Sequence, residues 1–383
     1  MRFVHLSDTR LGFSDLEMID PESGVNLREQ DFYRAWRNTI EGIVKLKPDF
    51  VVHAGNLFHS PRPNNRAISE ALSGIQKLGE AGIPVALIAG NRSTPRIGNA
   101  AHILESTKAL KHVSAACDEK YERFDFGDCA VYCLPHCATQ SAFEKASTAI
   151  SQDAGLRFHV LLAHGVWRSA EGKTIGRVGE FNERVIDEAA ISKNAAFDYV
   201  ALGHSPKHER ISESVFYSGA LERTNFEEAD FPTGFVLVDL GEKSTEFVAT
   251  PCRRMMRLGP FDCAGFSANE IYEKLENETP VNVEEMLVRV ELNGVSRKTL
   301  LELDASTIDE IFKDAVYVEK AFEAAGATSA LKQQANIDAL AVEFDRYIEN
   351  AEEDPDRGER FLEAGHELLR QAEAQIGYDS QTA

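Results

Sequence analysis

Asp8 closes an apolar run, Phe3 to Leu6, and is followed by a turn carrying Gly12. The run has strand character, so the carboxylate lies at the carboxyl end of a strand, where open α/β sheets bind ligands. Four later strand-like runs end in polar, metal-capable or cationic residues: Asn56, Asn91 with Arg92, His164, and His204. Five loops from scattered parts of the chain are therefore expected to converge on one site.

The elements that must position them alternate. Over residues 24–46, Phe32, Trp36, Ile40, Ile43 and Leu46 recur at helical spacing, and Pro48 closes the helix. Strands are expected over 49–53 and 84–89, with a helix over 67–78 between them. Strand–helix alternation implies a parallel sheet with crossover helices. The pattern then changes to a hairpin over 121–134 around Gly127-Asp128. Strands over 157–163 and 197–202 flank a short helix over 182–191. Runs at 234–240 and 245–250 read as another hairpin. The fold class is α/β, a two-sheet sandwich over residues 1–255. An α+β module over 256–325 follows, with helices at 268–276, 297–303 and 306–314 and strands at 286–292 and 315–319. Residues 326–383 form a helical segment, with acidic amphipathic helices at 331–348 and 356–374.

Composition excludes several classes. The chain has 383 residues and 43% hydrophobic content, enough for a buried core. It has no apolar run of membrane-spanning length and no basic-then-apolar leader, so a cytoplasmic protein without a membrane partner is expected. Six cysteines in a chain this long do not form a disulfide framework. Cys133-x-x-His136-Cys137 lacks a second pair at zinc spacing and reads as ordinary thiols. The net charge of −21 argues against a freestanding nucleic-acid binder. It is compatible with a subunit whose basic partner carries most DNA contacts.

The loops resemble those of the calcineurin-like metallophosphoesterases, and within them the SbcD (Mre-eleven) double-strand-break repair nucleases. Ser7-Asp8-Thr9-Arg10-Leu11-Gly12 is similar to the family's D-x-H-L-G loop, and Gly55-Asn56-Leu57-Phe58-His59 to G-D-L-F-H. Gly90-Asn91-Arg92 is similar to G-N-H, and Ala163-His164-Gly165 and Gly203-His204-Ser205-Pro206 to the two late histidine loops, the last usually G-H-x-H. Tyr217 to Arg223 matches Y-P-G-S-x-E-R. The resemblance implies a two-sheet metallophosphoesterase sandwich with a small capping domain and C-terminal helices. It implies manganese-dependent phosphodiester hydrolysis at DNA ends, with two ions clamping the scissile phosphate. It also implies an SbcC/Rad-fifty-type ABC ATPase partner held by the C-terminal helices, and a homodimer.

Carried over by position, Asp8, Asn56, Asn91, His164 and His204 are the metal ligands, His59 lies behind them, and Arg92 stands at the catalytic histidine's position. Arg10, Asn56, Arg92 and Pro206 depart from the family pattern: Arg10 and Pro206 replace ligand histidines, and Asn56 replaces the bridging aspartate. The first ion's set keeps only Asp8. The second keeps Asn56, Asn91, His164 and His204 but loses the bridging charge, leaving one divalent ion (manganese or zinc) or none. Arginine can neither activate water as a metal does nor act as a general acid at neutral pH. Arg10 and Arg92 together can bind a phosphate, or Arg10 can serve as counter-charge to Asp8, or both can fill space. The expectation is a catalytically impaired scaffold that binds DNA ends or the ATPase. The alternative is a single-metal or altered phosphoesterase. His5 and His53 read as satisfied core histidines, His208 as a substitute ligand near Pro206, Arg28 and Asp31 as ties for the first helix, Glu222 and Arg223 as a bracing pair, and Glu227-Glu228-Ala229-Asp230 as solvated surface.

Overall fold

Apolar runs rich in β-branched residues build two facing sheets in the computed structural model. It describes residues 1–324 except 22, 96–99, 153–154, 180–181, 194 and 281, and beyond them only Phe344, Ile348, Leu362 and Gly365, all helical. The rest of the two expected terminal helices, with the docking role assigned to them, lies outside the described residues.

In chain order the elements are β1 Arg2–Leu6, α1 Leu27–Leu46, β2 Phe50–His53, α2 Asn65–Glu80, β3 Val85–Ile88, β4 Val113–Ala116, β5 Glu122–Phe126, β6 Cys129–Leu134 and α3 Gln140–Thr148. Next come β7 Phe158–His164, β8 Val166–Arg168, β9 Thr174–Ile175, β10 Val185–Asp187, α4 Glu188–Ser192, β11 Tyr199–Gly203, β12 Glu209–Arg210, β13 Val215–Tyr217, β14 Gly234–Asp239 and β15 Ser244–Ala249. The last are β16 Met255–Asp262, α5 Ala268–Glu278, β17 Leu287–Val295, α6 Arg297–Glu302, α7 Ala305–Ile311 and β18 Tyr317–Ala324.

One sheet has the order β15-β14-β1-β2-β3-β4, the other β12-β13-β11-β7-β6-β5. β1, β2, β3 and β4 run parallel, as do β6, β7, β11 and β13. Parallel strands align their carboxyl ends, which brings the polar loops of each sheet to a common edge. Phe3, Phe50, Val52 and Ile88 meet Val131, Val160, Tyr199 and Phe216 between the sheets. α1 and α2 cover the outer face of the first sheet through Trp36, Ile40, Ile43, Ala71, Ile75 and Leu78. Phe143, Ala146 and Ile191 cover the second. Both sheets are thus buried on both faces, which explains why their central strands read as continuous apolar runs.

The chain divides into two compact units. One comprises residues 1–257, 282–289 and 314–318, and the other 258–281, 290–313 and 319–383. In the second, Ser267 caps α5 in a reciprocal bond with Glu270, while Ile271 and Leu275 are buried.

Three expectations are corrected. Residues 182–191 are not one helix: Val185–Asp187 is a strand paired with β8, and only Glu188–Ser192 is helical. β-Branched Val185 and Ile186 favour pairing, and the Asp187 side chain starts the helix by accepting from Ala190 N. The acidic run at 227–230 is not all solvated. Glu228 is buried, accepting from the Thr224 backbone N–H and hydroxyl and from Arg177. The last strand is β18, Tyr317–Ala324, later and longer than the run expected at 315–319.

α1 is held by more than its apolar stripe. Asn26 caps it by accepting from the backbone N–H groups of Arg28 and Glu29. Asp31 Oδ2 takes Arg28 Nη1 at 2.5 Å and Arg253 Nε at 2.8 Å, all three side chains buried. Glu222 accepts from the Arg223 and Arg253 backbone N–H groups and lies 3.5 Å from Arg28 Nη2. Removing one partner of a buried ionic cluster strands the others without compensation. Asp31→Ala is therefore expected to cost about 3–5 kcal/mol of unfolding free energy. Urea denaturation measures it; a loss under about 1 kcal/mol, the worth of an exposed pair, would refute the assignment.

Candidate functional site

The five loops meet where the two sheets' carboxyl edges adjoin. The β1 loop is zipped to the β2 loop by backbone bonds: Asp8 N to Gly55 O, Arg10 N to Asn56 O and Leu11 N to Leu57 O, each 2.9–3.0 Å. Glycines permit the crowding. A Cβ at Gly203 would lie 1.9 Å from Ala54 O, and one at Gly55, whose φ is +92°, would lie 2.5 Å from His164 Nδ1. Asp8, Arg10, Asn56 and His204 hold φ of +50°, +49°, +57° and +105°. Such left-handed backbone in non-glycine residues persists only where the surroundings enforce it.

Asp8, Asn56, His164 and His204 are completely buried, Arg10 and Asn91 nearly so. Asp8 Oδ1 accepts from Asn56 Nδ2 at 2.9 Å and lies 3.6 Å from Arg10 Nη2. Asp8 Oδ2 accepts from the Ser7 hydroxyl at 2.9 Å and from His204 N at 2.8 Å. The carboxylate thus accepts three hydrogen bonds and has a guanidinium beside it. Burial alone would raise its pKa. The electrostatic influence of His164 and Arg10, the Asn56 amide and the His204 N–H outweigh burial and hold it at about 2.

The orientation of Asn56 follows from a fixed donor. Arg92 N donates to Asn56 Oδ1 at 3.0 Å, so the amide nitrogen must face inward. There it donates to both Asp8 Oδ1 and Asn91 Oδ1, at 2.9 Å each. His164 Nδ1 donates to Ala54 O at 2.7 Å, which turns Nε2 toward Asn91 Oδ1 at 3.0 Å. His204 Nε2 donates to Arg177 O at 3.0 Å, with Glu183 Oε2 3.5 Å away. Its Nδ1 is buried without a hydrogen-bond partner.

Asp8, Asn56, Asn91, His164 and His204 are therefore brought together as expected from their strand ends, with Arg10 among them. Arg92 is partly exposed and His59 lies to one side, its ring edge-on to Phe13 at 5.0 Å. His5 bonds Tyr199 and Leu202 O, and His53 bonds Thr9, as core histidines do. His208 is engaged by Tyr217 O at 2.9 Å and stacks on Phe247. Ser7, Ser218, Arg177 and Glu183 were missed. Ser218 donates to Ser7, which lies beside Asp8; Arg177 and Glu183 arrive on the loop between β9 and β10, which carries no spacing signal. Among the described residues, one carboxylate–thiol group, Glu105, Cys117 and Asp118, has ligand atoms within 4.8 Å of one another. It lies outside this cluster, and Lys108 and Lys120 pair with its Asp118.

A family model described as calcineurin-like phosphoesterase matches residues 1–208. Three curated relatives are each named DNA double-strand break repair protein Mre11. The one from Methanococcus maripaludis is 40% identical over 96 residues, 25% of this chain and 24% of that protein. The one from Methanocaldococcus jannaschii is 27% identical over 289 residues, 72% and 73% of the two chains. The one from Haloferax volcanii is 29% identical over 304 residues, 76% and 61%. The chain thus spans less than two thirds of the first and third of these relatives. The family match covers all five strands that carry the polar cluster, together with His204. By that match, over more than half its length, the chain belongs to the calcineurin-like phosphoesterase family.

Proposed function

We propose that this protein is a catalytically impaired relative of the Mre11 repair nucleases that binds DNA ends or an ABC-type ATPase as a scaffold subunit. The family uses divalent metals, and its two-ion centre does not fit these residues. The observation that carries the reading is Asn56: oriented by Arg92 N, its amide donates N–H bonds to Asp8 and Asn91, where a bridging carboxylate would offer oxygens. Arg10 adds a fixed positive charge beside Asp8. A donor and a cation pointed at the ligand oxygens oppose a second cation there. Arg92, partly exposed, is left as the residue to contact a DNA phosphate, while buried Arg10 serves Asp8. The ATPase contact falls to the C-terminal segment, and a homodimer is part of the same reading.

The test is manganese-dependent cleavage of linear duplex DNA, with Asp8→Ala as control. Equal, background-level rates are expected. Clear cleavage by the wild type that Asp8→Ala abolishes would sink the proposal.

One observation favours a second reading, an altered phosphoesterase with a single ion. His204 Nδ1 is buried without a partner, and the Nδ1 bond of His164 leaves its Nε2 directed inward beside Asn91. These three side chains would hold the ion, which would supply Lewis-acid activation of a phosphoryl oxygen. Elemental analysis after incubation with excess manganese or zinc decides this; no bound ion ends the single-metal reading.

A further inference from the structure

The geometry points to Arg10 as a built-in replacement for a metal ion: its guanidinium is the permanent partner of the Asp8 carboxylate and holds the converging loops closed without any bound cation. This rests on the reading that the two-ion centre is lost, and it adds a claim about folding that the reading does not require.

Asp8 is a carboxyl group with no exposure to solvent. A carboxylate removed from water is tolerated only when paired and hydrogen-bonded. Three of its bonds come from groups that carry no net charge: the Ser7 hydroxyl, the Asn56 amide and His204 N. Arg10 Nη2, 3.6 Å from Oδ1, brings a full charge that no pH near neutrality removes. Arg10 is 1% exposed, so its side chain is committed to the interior and is not a surface residue that happens to lie nearby. Its backbone is committed as well. Arg10 holds φ of +49° and donates from N to Asn56 O, so the guanidinium is carried by the same loop that presents Asp8 and zips to Asn56. Asp8 Oδ2 in turn takes His204 N, tying the first sheet's loop to the second sheet's. The Asp8–Arg10 pair is therefore the charge centre of a loop closure that spans both sheets. A metal would serve the same purpose but would make stability depend on its concentration. The guanidinium removes that dependence.

The experiment is thermal unfolding with EDTA or with manganese. Wild-type Tm is expected to be the same with and without the chelator. Arg10→Ala should lower Tm by roughly 5–10 °C, since it strands a buried charge. Manganese should then restore part of that loss in Arg10→Ala, and not in Asp8→Asn/Arg10→Ala. Unchanged Tm in Arg10→Ala, or a wild-type Tm that EDTA lowers, overturns the inference. Should Arg10→Ala fail to fold, Asp8→Asn/Arg10→Gln, which removes both charges, must be the more stable of the two variants. Equal failure of both overturns the inference too. Nuclease activity in the wild type would instead overturn the proposed function, so the two failures are separable.

Discussion

The quadruple variant Arg10→His, Asn56→Asp, Arg92→His, Pro206→His is expected to bind about two manganese ions per chain and to gain metal-dependent phosphodiester hydrolysis. The wild type should show neither. The expectation rests on backbone that is still in place. Asp8, Asn56 and His204 keep left-handed φ, and the β1 and β2 loops are zipped by successive backbone bonds. By bonding Ala54 O, His164 already sets its second ring nitrogen beside Asn91 Oδ1, and His204 Nδ1 is buried without a hydrogen-bond partner. On the proposed reading, four side chains and not the chain's path separate this site from a two-ion centre. The triple variant without Arg92→His should bind metal equally but hydrolyse about 10²–10⁴-fold more slowly, the usual worth of a general acid. Asn56→Asp alone should lose stability, because it sets a second carboxylate against Asp8 where an N–H now donates. Elemental analysis and hydrolysis of an activated phosphodiester measure both properties. A quadruple variant that folds yet binds no metal would show that the loops lack the path the ligands need.

Stability should fall steeply in mild acid. Burial lowers the pKa of His5 and His136 to about 3 and of His53 and His102 to about 4. In the unfolded chain these imidazoles take up protons near pH 6.5, whereas in the folded protein they stay neutral until pH 3–4. The unfolded state therefore binds more protons throughout that window. Stability is complete above pH 6.5 and declines as pH falls, by up to about 1.4 kcal/mol per pH unit for each histidine. Four together approach about 5 kcal/mol per unit, comparable to the whole stability of many domains within two units. Asp8 adds a loss further down, as pH falls from 3.8 through about 2. Chemical denaturation between pH 8 and pH 4.5 should show this slope. His5→Phe should reduce it, since a phenyl ring takes no proton. A flat profile from pH 7 to pH 5 would refute the prediction.

The regularity of the first sheet was legible because its strands are buried on both faces and its helices on one. Those demands write continuous apolar runs and stripes at helical spacing, such as Trp36, Ile40 and Ile43. Asp8, Asn56, Asn91, His164 and His204 were legible for a related reason: each follows such a run, and parallel pairing aligns strand ends. β8, β10 and β13 were harder. Each is three residues long, too short to show a period of two, and each takes at least one partner across an intervening loop. The buried Glu228 was hidden for the same reason. Its partner Arg177 lies 51 residues away, and an acidic run read locally looks solvated.

By itself, the sequence determined which residue types stand at each strand end, and hence that a carboxylate, two amides, two imidazoles and an arginine would share one place. Only the tertiary structure decided what they do to one another. Backbone N–H groups are donors and nothing else, so Arg92 N sets the Asn56 amide, and that amide in turn takes up Asp8 and Asn91. The pairing of Asp8 with Arg10, and the empty hand of His204 Nδ1, depend on distances and burial that no spacing along the chain encodes.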